Sequence, residues 1–186
     1  MISCFKGKFK VTSPRGYRTL SGQKQYHAGL DLVALEDKNI YAIADGTVDA
    51  TPYEKDGFGY YVRQKLDDGR RIYYGHMLKD SITVKAGQRI IKGQKLGIMG
   101  SSGNSTGAHT HLEIRVPGTS FESLDICEYT DIPNKTGTYE CKEKTFDEAV
   151  KCVREKCGFE DKTIEYLKGY KYAKDLFIKL ATAMED

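Results

Sequence analysis

The sequence predicts a mainly β fold, in which an antiparallel sandwich or barrel-like domain is followed by a small C-terminal helical hairpin. Up to about residue 126, short segments rich in β-branched and aromatic residues alternate with turn residues, a pattern typical of antiparallel strands. After residue 145 the apolar residues recur at helical spacing instead. With 186 residues, 39% of them hydrophobic, the chain can bury one core of ordinary size and carry a small appendage.

Two hairpin signals lie within the predicted β domain. Segments 40–44 and 47–50 flank Asp45-Gly46, and segments 61–66 and 70–74 flank Asp67-Asp68-Gly69. Asp and Gly tolerate the backbone conformations of tight turns, so each signal predicts an antiparallel pair of strands. A glycine-rich stretch at 100–107 lacks the Gly-Lys-Ser/Thr ending of a phosphate-binding loop. We therefore expect it to be a loop that leads into the next strand.

Helical signals follow a predicted linker. Residues 127–144 contain a Pro/Asn/Gly cluster at 131–137, which suits a linker. Thr145 and Glu148 form a capping-box motif, and Gly158 offers a stop for the helix that begins there. A second apolar stripe runs from about 163 to 184. The expected organisation is a β domain at 1–126, a linker at 127–144 and a helical hairpin at 145–186.

All four histidines of the chain fall in one pattern of candidate metal ligands. His109 and His111 lie two residues apart in a strand-like segment, so their side chains would point to the same face. His27 and Asp31 also have period-two spacing, and the glycine midway between them leaves space beside a metal. Imidazole nitrogens and carboxylate oxygens are ligands of Zn²⁺. With His76, these residues predict a transition-metal site.

Three blocks that contain these residues resemble the signature blocks of the lysostaphin-type, or LytM-type, zinc endopeptidases, which cut peptidoglycan peptides. The blocks are His27-Ala-Gly-Leu-Asp31, Tyr74-Gly-His76 and Gly103-Asn-Ser-Thr-Gly-Ala-His109-Thr-His111-Leu-Glu113. The resemblance runs from about Thr12 to Arg115 and takes in Ala44-Asp-Gly46-Thr-Val48, Gly57-Phe-Gly-Tyr-Tyr-Val62, Val84-Lys-Ala-Gly87 and Gly93-Gln-Lys-Leu-Gly97.

The resemblance implies the ligand set and the catalytic roles. His27, Asp31 and His111 would bind one zinc ion per chain, with water or the scissile carbonyl in the fourth position. His76 and His109 would be the catalytic pair, with His109 as the base and His76 as the stabiliser of the oxyanion. A three-ligand zinc lowers the pKa of its bound water to about 7, so hydrolysis near neutral pH needs no serine or cysteine nucleophile.

Two positions near the third block need separate treatment. Glu113 matches the family block, and two interpretations of it stay open: it orients His111 from outside the coordination sphere, or it is a solvated strand residue. Thr110 stands where the family has Leu or a similar residue. Because Thr110 would lie on the opposite face of the strand, we expect this departure to matter little.

Two alternative functions compete with a zinc endopeptidase. Segments 45–48 and 84–97 are similar to the hybrid motif of biotinyl and lipoyl carriers, which would make the chain a swinging-arm carrier domain. No lysine lies in a carrier-type turn, however, and a carrier needs no set of metal-type residues. The second alternative is a noncatalytic family member that binds peptidoglycan or activates another hydrolase. Such members typically lose metal ligands, whereas this sequence contains all of them.

Composition limits the partners and the location. A net charge of +3 is too small to predict a nucleic-acid-binding protein, and no apolar run is long enough for a membrane span or a signal peptide. We therefore expect a protein made in the cytoplasm that reaches the cell wall by lysis or as part of a phage particle or contractile device; a natural leader missing from this sequence is the alternative. Five cysteines without CxxC spacing predict reduced, structurally incidental thiols.

Three questions stay open at the level of the sequence. The cleaved bond could lie in the cross-bridge or in the stem peptide, since the loops at 53–58 and 101–108 encode no readable preference. The C-terminal helices could pack on each other or on the β domain, or could form a docking or wall-targeting module. The oligomeric state is not predicted.

Overall fold

A computed structural model describes residues 3–20, 22–119, 122–141 and 145–184. The chain divides into two units, Met1–Cys141 and Lys142–Asp186, which we call the β unit and the helical unit. The strands are β1 (Gly7–Ser13), β2 (Gly16–Leu20), β3 (Gln23–His27), β4 (Leu30–Ala34), β5 (Asn39–Tyr41), β6 (Gly46–Ala50), β7 (Tyr53–Glu54), β8 (Gly59–Lys65), β9 (Arg71–Met77), β10 (Arg89–Ile90), β11 (Lys95–Ile98), β12 (Thr110–Arg115), β13 (Ser123–Leu124) and β14 (Gly137–Cys141). The helices are α1 (Cys127–Thr130), α2 (Phe146–Cys157), α3 (Asp161–Lys168) and α4 (Ala173–Ala183).

One large antiparallel sheet dominates the β unit. Its strand order is β10-β6-β8-β9-β12-β4-β1-β14, with β13 paired to β12 and β7 paired to β8. Two small sheets, β5 with β11 and β2 with β3, complete the unit. The mainly β fold followed by small C-terminal helices is therefore confirmed.

Alternation along the central strands gives the sheet one apolar face and one polar face. The side chains that enter the core from β4, β9 and β12 include Leu30, Leu32, Ile72, Tyr74, Leu112 and Ile114. The residues between them, including Asp31, Tyr73, His111 and Glu113, point to the opposite face because successive strand side chains alternate. Burial of each large apolar side chain contributes about 1.5–3 kcal/mol. Because the apolar side chains must enter the core, the residues that alternate with them lie on the polar face of the sheet.

The two predicted hairpins have different outcomes. The pair around 67–69 is confirmed, with Lys65 opposite Arg71 and Gly69 at a φ of +90° in the turn. The hairpin predicted at Asp45-Gly46 is wrong, because β5 pairs with β11 while β6 pairs with β8 and β10. Glycine at position 46 allows the backbone of Lys65 to pack closely, because a Cβ on this residue would lie 2.5 Å from the carbonyl oxygen of Lys65.

The stretch expected to be a linker contains α1 and β14, and β14 pairs with β1 as the last strand of the large sheet. Phe9 and Tyr139 lie opposite each other in this pair, with ring centroids 6.1 Å apart. The Pro/Asn/Gly cluster forms the connection before β14, where Asn134 exchanges hydrogen bonds with the backbone of Arg15. Turn residues therefore mark a connection inside the β unit here, and residues 142–144 lie outside the described residues.

The helical unit has its own apolar core. Both halves of the Thr145–Glu148 capping box are present at the start of α2, and Gly158 ends the helix at a φ of +64°. The second predicted helical stripe forms two helices, α3 and α4, which are separated at residues 169–172. The buried core residues of this unit are Ala149, Val150, Val153, Ile164, Ala173, Phe177 and Ala181. Among the described residues, no helix is long and apolar enough to cross a membrane, and all five cysteines are free thiols.

Candidate metal centre

Three strands, one from the β2–β3 sheet and two from the large sheet, bring the predicted metal ligands together beside the polar face of the large sheet. His27 is the last residue of β3, Asp31 lies in β4, and His111 lies in β12. The register of β4 and β12 places Asp31 directly opposite His111. Because this pairing joins residues 80 positions apart in the chain, the cluster depends on the correct strand order.

The three candidate ligand atoms converge on one point. The distances are 3.0 Å from His27 Nε2 to Asp31 Oδ1, 3.0 Å from His27 Nε2 to His111 Nδ1, and 2.9 Å from His111 Nδ1 to Asp31 Oδ1. All three side chains are buried, and their atoms form a group that could hold a metal ion. A Cβ at Gly29 would lie 2.3 Å from the carbonyl oxygen of Leu112, so glycine is required between the first two ligands.

Each candidate ligand is held from behind by a partner. His27 Nδ1 donates to the carbonyl oxygen of Pro14 at 2.9 Å, which leaves Nε2 as the lone-pair nitrogen. His111 Nε2 donates to Glu113 at 3.0 Å, which leaves Nδ1 for the cluster. The second oxygen of Asp31 accepts a hydrogen bond from Arg18 at 3.0 Å. Such partners fix the tautomer and orientation of metal-binding side chains.

The electrostatics of the cluster favour a cation. Burial raises the pKa of Asp31, but the adjacent imidazoles of His111 and His27 outweigh that effect and hold the pKa well below its usual range. Burial lowers the pKa of His111, but Asp31 and Glu113 outweigh it and raise the pKa. Two carboxylates at a buried imidazole thus attract positive charge. Two imidazole nitrogens and one carboxylate oxygen fit the donor set of a catalytic zinc site, in which water or substrate takes the fourth position.

His76 and His109 lie beside this cluster, with their ring centroids 4.6 Å apart. His109 Nδ1 donates to the carbonyl oxygen of Gly107 at 2.8 Å, and its Nε2 lies 3.6 Å from Asp31 Oδ1. His76 Nδ1 donates to the carbonyl oxygen of Ser102 at 2.8 Å. The structure thus brings together all five residues that the sequence singled out as ligands or catalytic groups.

The backbone conformation of His76 sets it apart from the other histidines. Its φ of +58° lies in the left-handed region, which is strained for a residue other than glycine and is common at functional sites. Burial lowers the pKa of His76 to about 4. The ring is therefore neutral near pH 7, with the proton on Nδ1.

Glu113 is buried and contacts both His111 and Arg115. Of the two interpretations left open by the sequence, this geometry matches the orienting one. Thr110 points to the core side of β12, as expected from strand alternation. Sequence reasoning missed the supporting roles of Arg18 and Ser102. Arg18 lay within the resembling region, but nothing local indicated that it would reach Asp31.

The sequence comparisons agree with this geometry. Residues 25–123, more than half of the chain, match the model of Peptidase family M23. The peptidoglycan DD-endopeptidase ShyC of Vibrio cholerae is 34% identical over 106 residues, which are 57% of this chain and 24% of that protein. The murein hydrolase activator NlpD of Escherichia coli is 30% identical over 113 residues, which are 61% of this chain and 29% of that protein. The chain thus spans less than a third of the length of these relatives.

Solved structures show the same fold. A variant of the catalytic domain of the prophage-encoded M23 protein EnpA from Enterococcus faecalis is 33% identical, with a TM-score of 0.58, covering 67% of this chain and 93% of that one. The catalytic domain of lysostaphin from Staphylococcus simulans is 26% identical, with a TM-score of 0.56, covering 64% of this chain and 90% of that one. The chain belongs to peptidase family M23.

Proposed function

We propose that this chain is a zinc-dependent endopeptidase that hydrolyses peptide bonds in bacterial peptidoglycan, either in the cross-bridge or in the stem peptide. The observation that carries the proposal is the convergence of His27, Asp31 and His111 within 3.0 Å of one another, beside the His76 and His109 rings. One zinc ion held there would polarise the scissile carbonyl and activate water for attack.

His109 is the proposed base. Its Nδ1–H is committed to Gly107, so the lone pair on Nε2 is free to accept a proton, and this atom lies 3.6 Å from the Asp31 ligand oxygen. Proton transfer by a positioned histidine contributes typically 10²- to 10⁴-fold to rate. The same ring can then return the proton to the leaving amine.

His76 is the proposed stabiliser of the oxyanion. Because its Nδ1–H donates to Ser102, Nε2 can donate only when the ring carries a second proton. The pKa of about 4 opposes that state in the resting site. Negative charge that develops on the substrate raises the pKa of a neighbouring imidazole, so His76 would take up a proton from solvent water and donate from Nε2 in the transition state.

Two rival functions have less support. One relative, NlpD, is named as an activator of murein hydrolases and not as a hydrolase itself. Against a noncatalytic role stand the complete donor set and the strained His76 beside it. The carrier alternative loses support because the matched family is a peptidase family. The prophage-encoded relative supports a phage-type lysin or virion-associated wall hydrolase as the setting.

The test is digestion of purified cell walls of several chemotypes with the zinc-loaded chain. New amino termini, identified by mass spectrometry, reveal the bond that is cut. The matched control is the double variant Asp31→Ala, His111→Ala, which should bind no zinc and release no peptides, whereas the native chain should carry about one zinc. Full zinc content in the double variant would refute the ligand assignment. A zinc-loaded native chain that cuts no chemotype would refute the proposed activity.

A further inference from the structure

A concave surface with a volume of about 460 Å³ lies on the polar side of the large sheet and has no part in the chemistry proposed above. Its lining includes the aromatic rings of Phe58, Tyr61 and Tyr73 and the guanidinium groups of Arg63, Arg71 and Arg115. We call this surface the arginine pocket. Tyr61 and Arg63 come from β8, Arg71 and Tyr73 from β9, and Arg115 from β12.

The arginine pocket adjoins the candidate metal centre. On β12, Arg115 and Glu113 continue the face that carries His111, since strand residues two apart point the same way. The ring of Phe58 connects the two sites, with its centroid 5.5 Å from that of His111 and 5.3 Å from that of Tyr73. A peptide bound across the candidate metal centre could therefore extend a side group into the pocket.

Positive charge is concentrated at the far side of the pocket. Arg71 lies directly opposite Arg115 on paired strands, an arrangement of like charges that is unfavourable by itself. Arg63 and Arg71 both contact the same oxygen of Asp49, at 2.7 and 3.2 Å. One carboxylate thus serves two guanidinium groups, and both side chains keep about a third of their surface exposed, at 32% and 29%.

The other charges of the pocket have local partners. Arg115 donates to Glu113 at 2.6 Å and lies over the ring of Tyr73 at 4.3 Å from its centroid. Glu54 accepts a hydrogen bond from the Tyr61 hydroxyl at 2.6 Å. Because that partner is neutral, Glu54 adds one negative charge to the lining. The Arg63 and Arg71 pair therefore carries one positive charge beyond that of Asp49, and Glu54 balances this charge over the lining as a whole.

We propose that the arginine pocket binds a free carboxylate of the peptide substrate, with Arg63 and Arg71 as the donors. A guanidinium group presents a planar set of N–H donors that matches a carboxylate, and such charge-assisted bonds are stronger than neutral ones. The aromatic rings give a flat surface for the adjoining peptide. The identity of the ligand as a peptide rests on the proposed function, whereas the preference for a carboxylate rests on the pocket alone.

The test compares two probes: the stem peptide L-Ala-γ-D-Glu-L-Lys-D-Ala-D-Ala with its carboxylates free, and the same peptide with them amidated. Binding is measured by calorimetry on the full zinc-loaded chain carrying His109→Ala, which should slow cleavage about 10²- to 10⁴-fold during the measurement. We expect the free carboxylate form to bind about tenfold more tightly. Adding Arg71→Gln or Arg63→Gln should reduce that ratio towards one.

The matched control is Glu54→Gln, which removes a negative charge from the same lining, whereas the two arginine variants remove a positive charge. It should leave the ratio unchanged or increase it. Equal affinities for the two peptides, or a ratio that survives both glutamine variants, would overturn the proposal. Circular dichroism and zinc content verify that each variant is folded. If a glutamine variant unfolds, Arg71→Lys is measured instead. A reduced ratio of the two peptide affinities in that variant supports the pocket, and an unchanged ratio refutes it. Wall digestion by the native chain tests the enzyme separately, so the two failures are distinguishable.

Discussion

The β unit and the helical unit are stabilised by different kinds of contact. In the β unit the chemistry depends on long-range register, since Asp31 and His111 meet across paired strands. In the helical unit the elements follow local signals, such as the capping box at Thr145 and the stop at Gly158. All buried polar or charged residues among the described residues lie in the β unit. The difference indicates that the candidate metal centre depends on tertiary strand register, whereas the ends of helix α2 depend on residues within a few positions.

The largest expected effect separates catalysis from metal binding within the β unit. His109→Ala should retain about one zinc per chain yet lose about 10²- to 10⁴-fold in wall hydrolysis, because the ring is proposed to transfer protons. The measurement is the rate of peptide release alongside metal analysis. The matched control is Tyr166→Ala, an exposed side chain of the helical unit, which should keep the native rate. Hydrolysis at the native rate by folded His109→Ala would refute the base assignment.

Two truncations sharpen the boundary between the units. A chain ending at Cys141 keeps β14 and should cleave a small soluble peptide at the native rate. A chain ending at Ile126 loses β14 and the buried Ile132, which should lower the free energy of unfolding by about 2 kcal/mol or more. Thermal melting of the two fragments checks this. Equal midpoints would mean that β14 is dispensable to the sheet.

A smaller effect tests how the ligands are oriented. Glu113→Gln removes the charge that holds His111 Nε2 at 3.0 Å, and loss of such a partner typically weakens metal affinity by about 10- to 100-fold. Competition with a chelator measures the zinc affinity of the variant and of the native chain. An unchanged affinity would show that the backbone alone orients His111.

The smallest effect lies in the helical unit. Thr145→Ala removes the hydroxyl that accepts from the backbone N–H of Glu148, and loss of an N-cap costs about 1 kcal/mol. Thermal melting should show destabilisation of the helical unit, while the rate of peptide hydrolysis stays at its native value. A reduced rate would contradict this contrast between the two units, because it would show that the helices support hydrolysis.

Local sequence determined the mainly β character, the helical segments, the capping box and the metal-type residues, because each depends on neighbours within a few positions. The family resemblance added the division of roles among His27, Asp31, His111, His76 and His109, and the structure brings these five residues together. The wrong prediction of a hairpin at Asp45-Gly46 also depended on neighbouring residues alone. A turn signal specifies local backbone conformation, but not the strand that pairs on either side.

Only the tertiary structure decided which distant residues meet. The contact of Arg18 with Asp31, the pairing of β14 with β1, and the convergence of Arg63 and Arg71 on Asp49 all depend on strand order and register. A strand's side-chain period shows that residues share a face, but it does not identify the neighbouring strand. Burial of the apolar face selects that neighbour, and with it the surroundings of every side chain on the polar face.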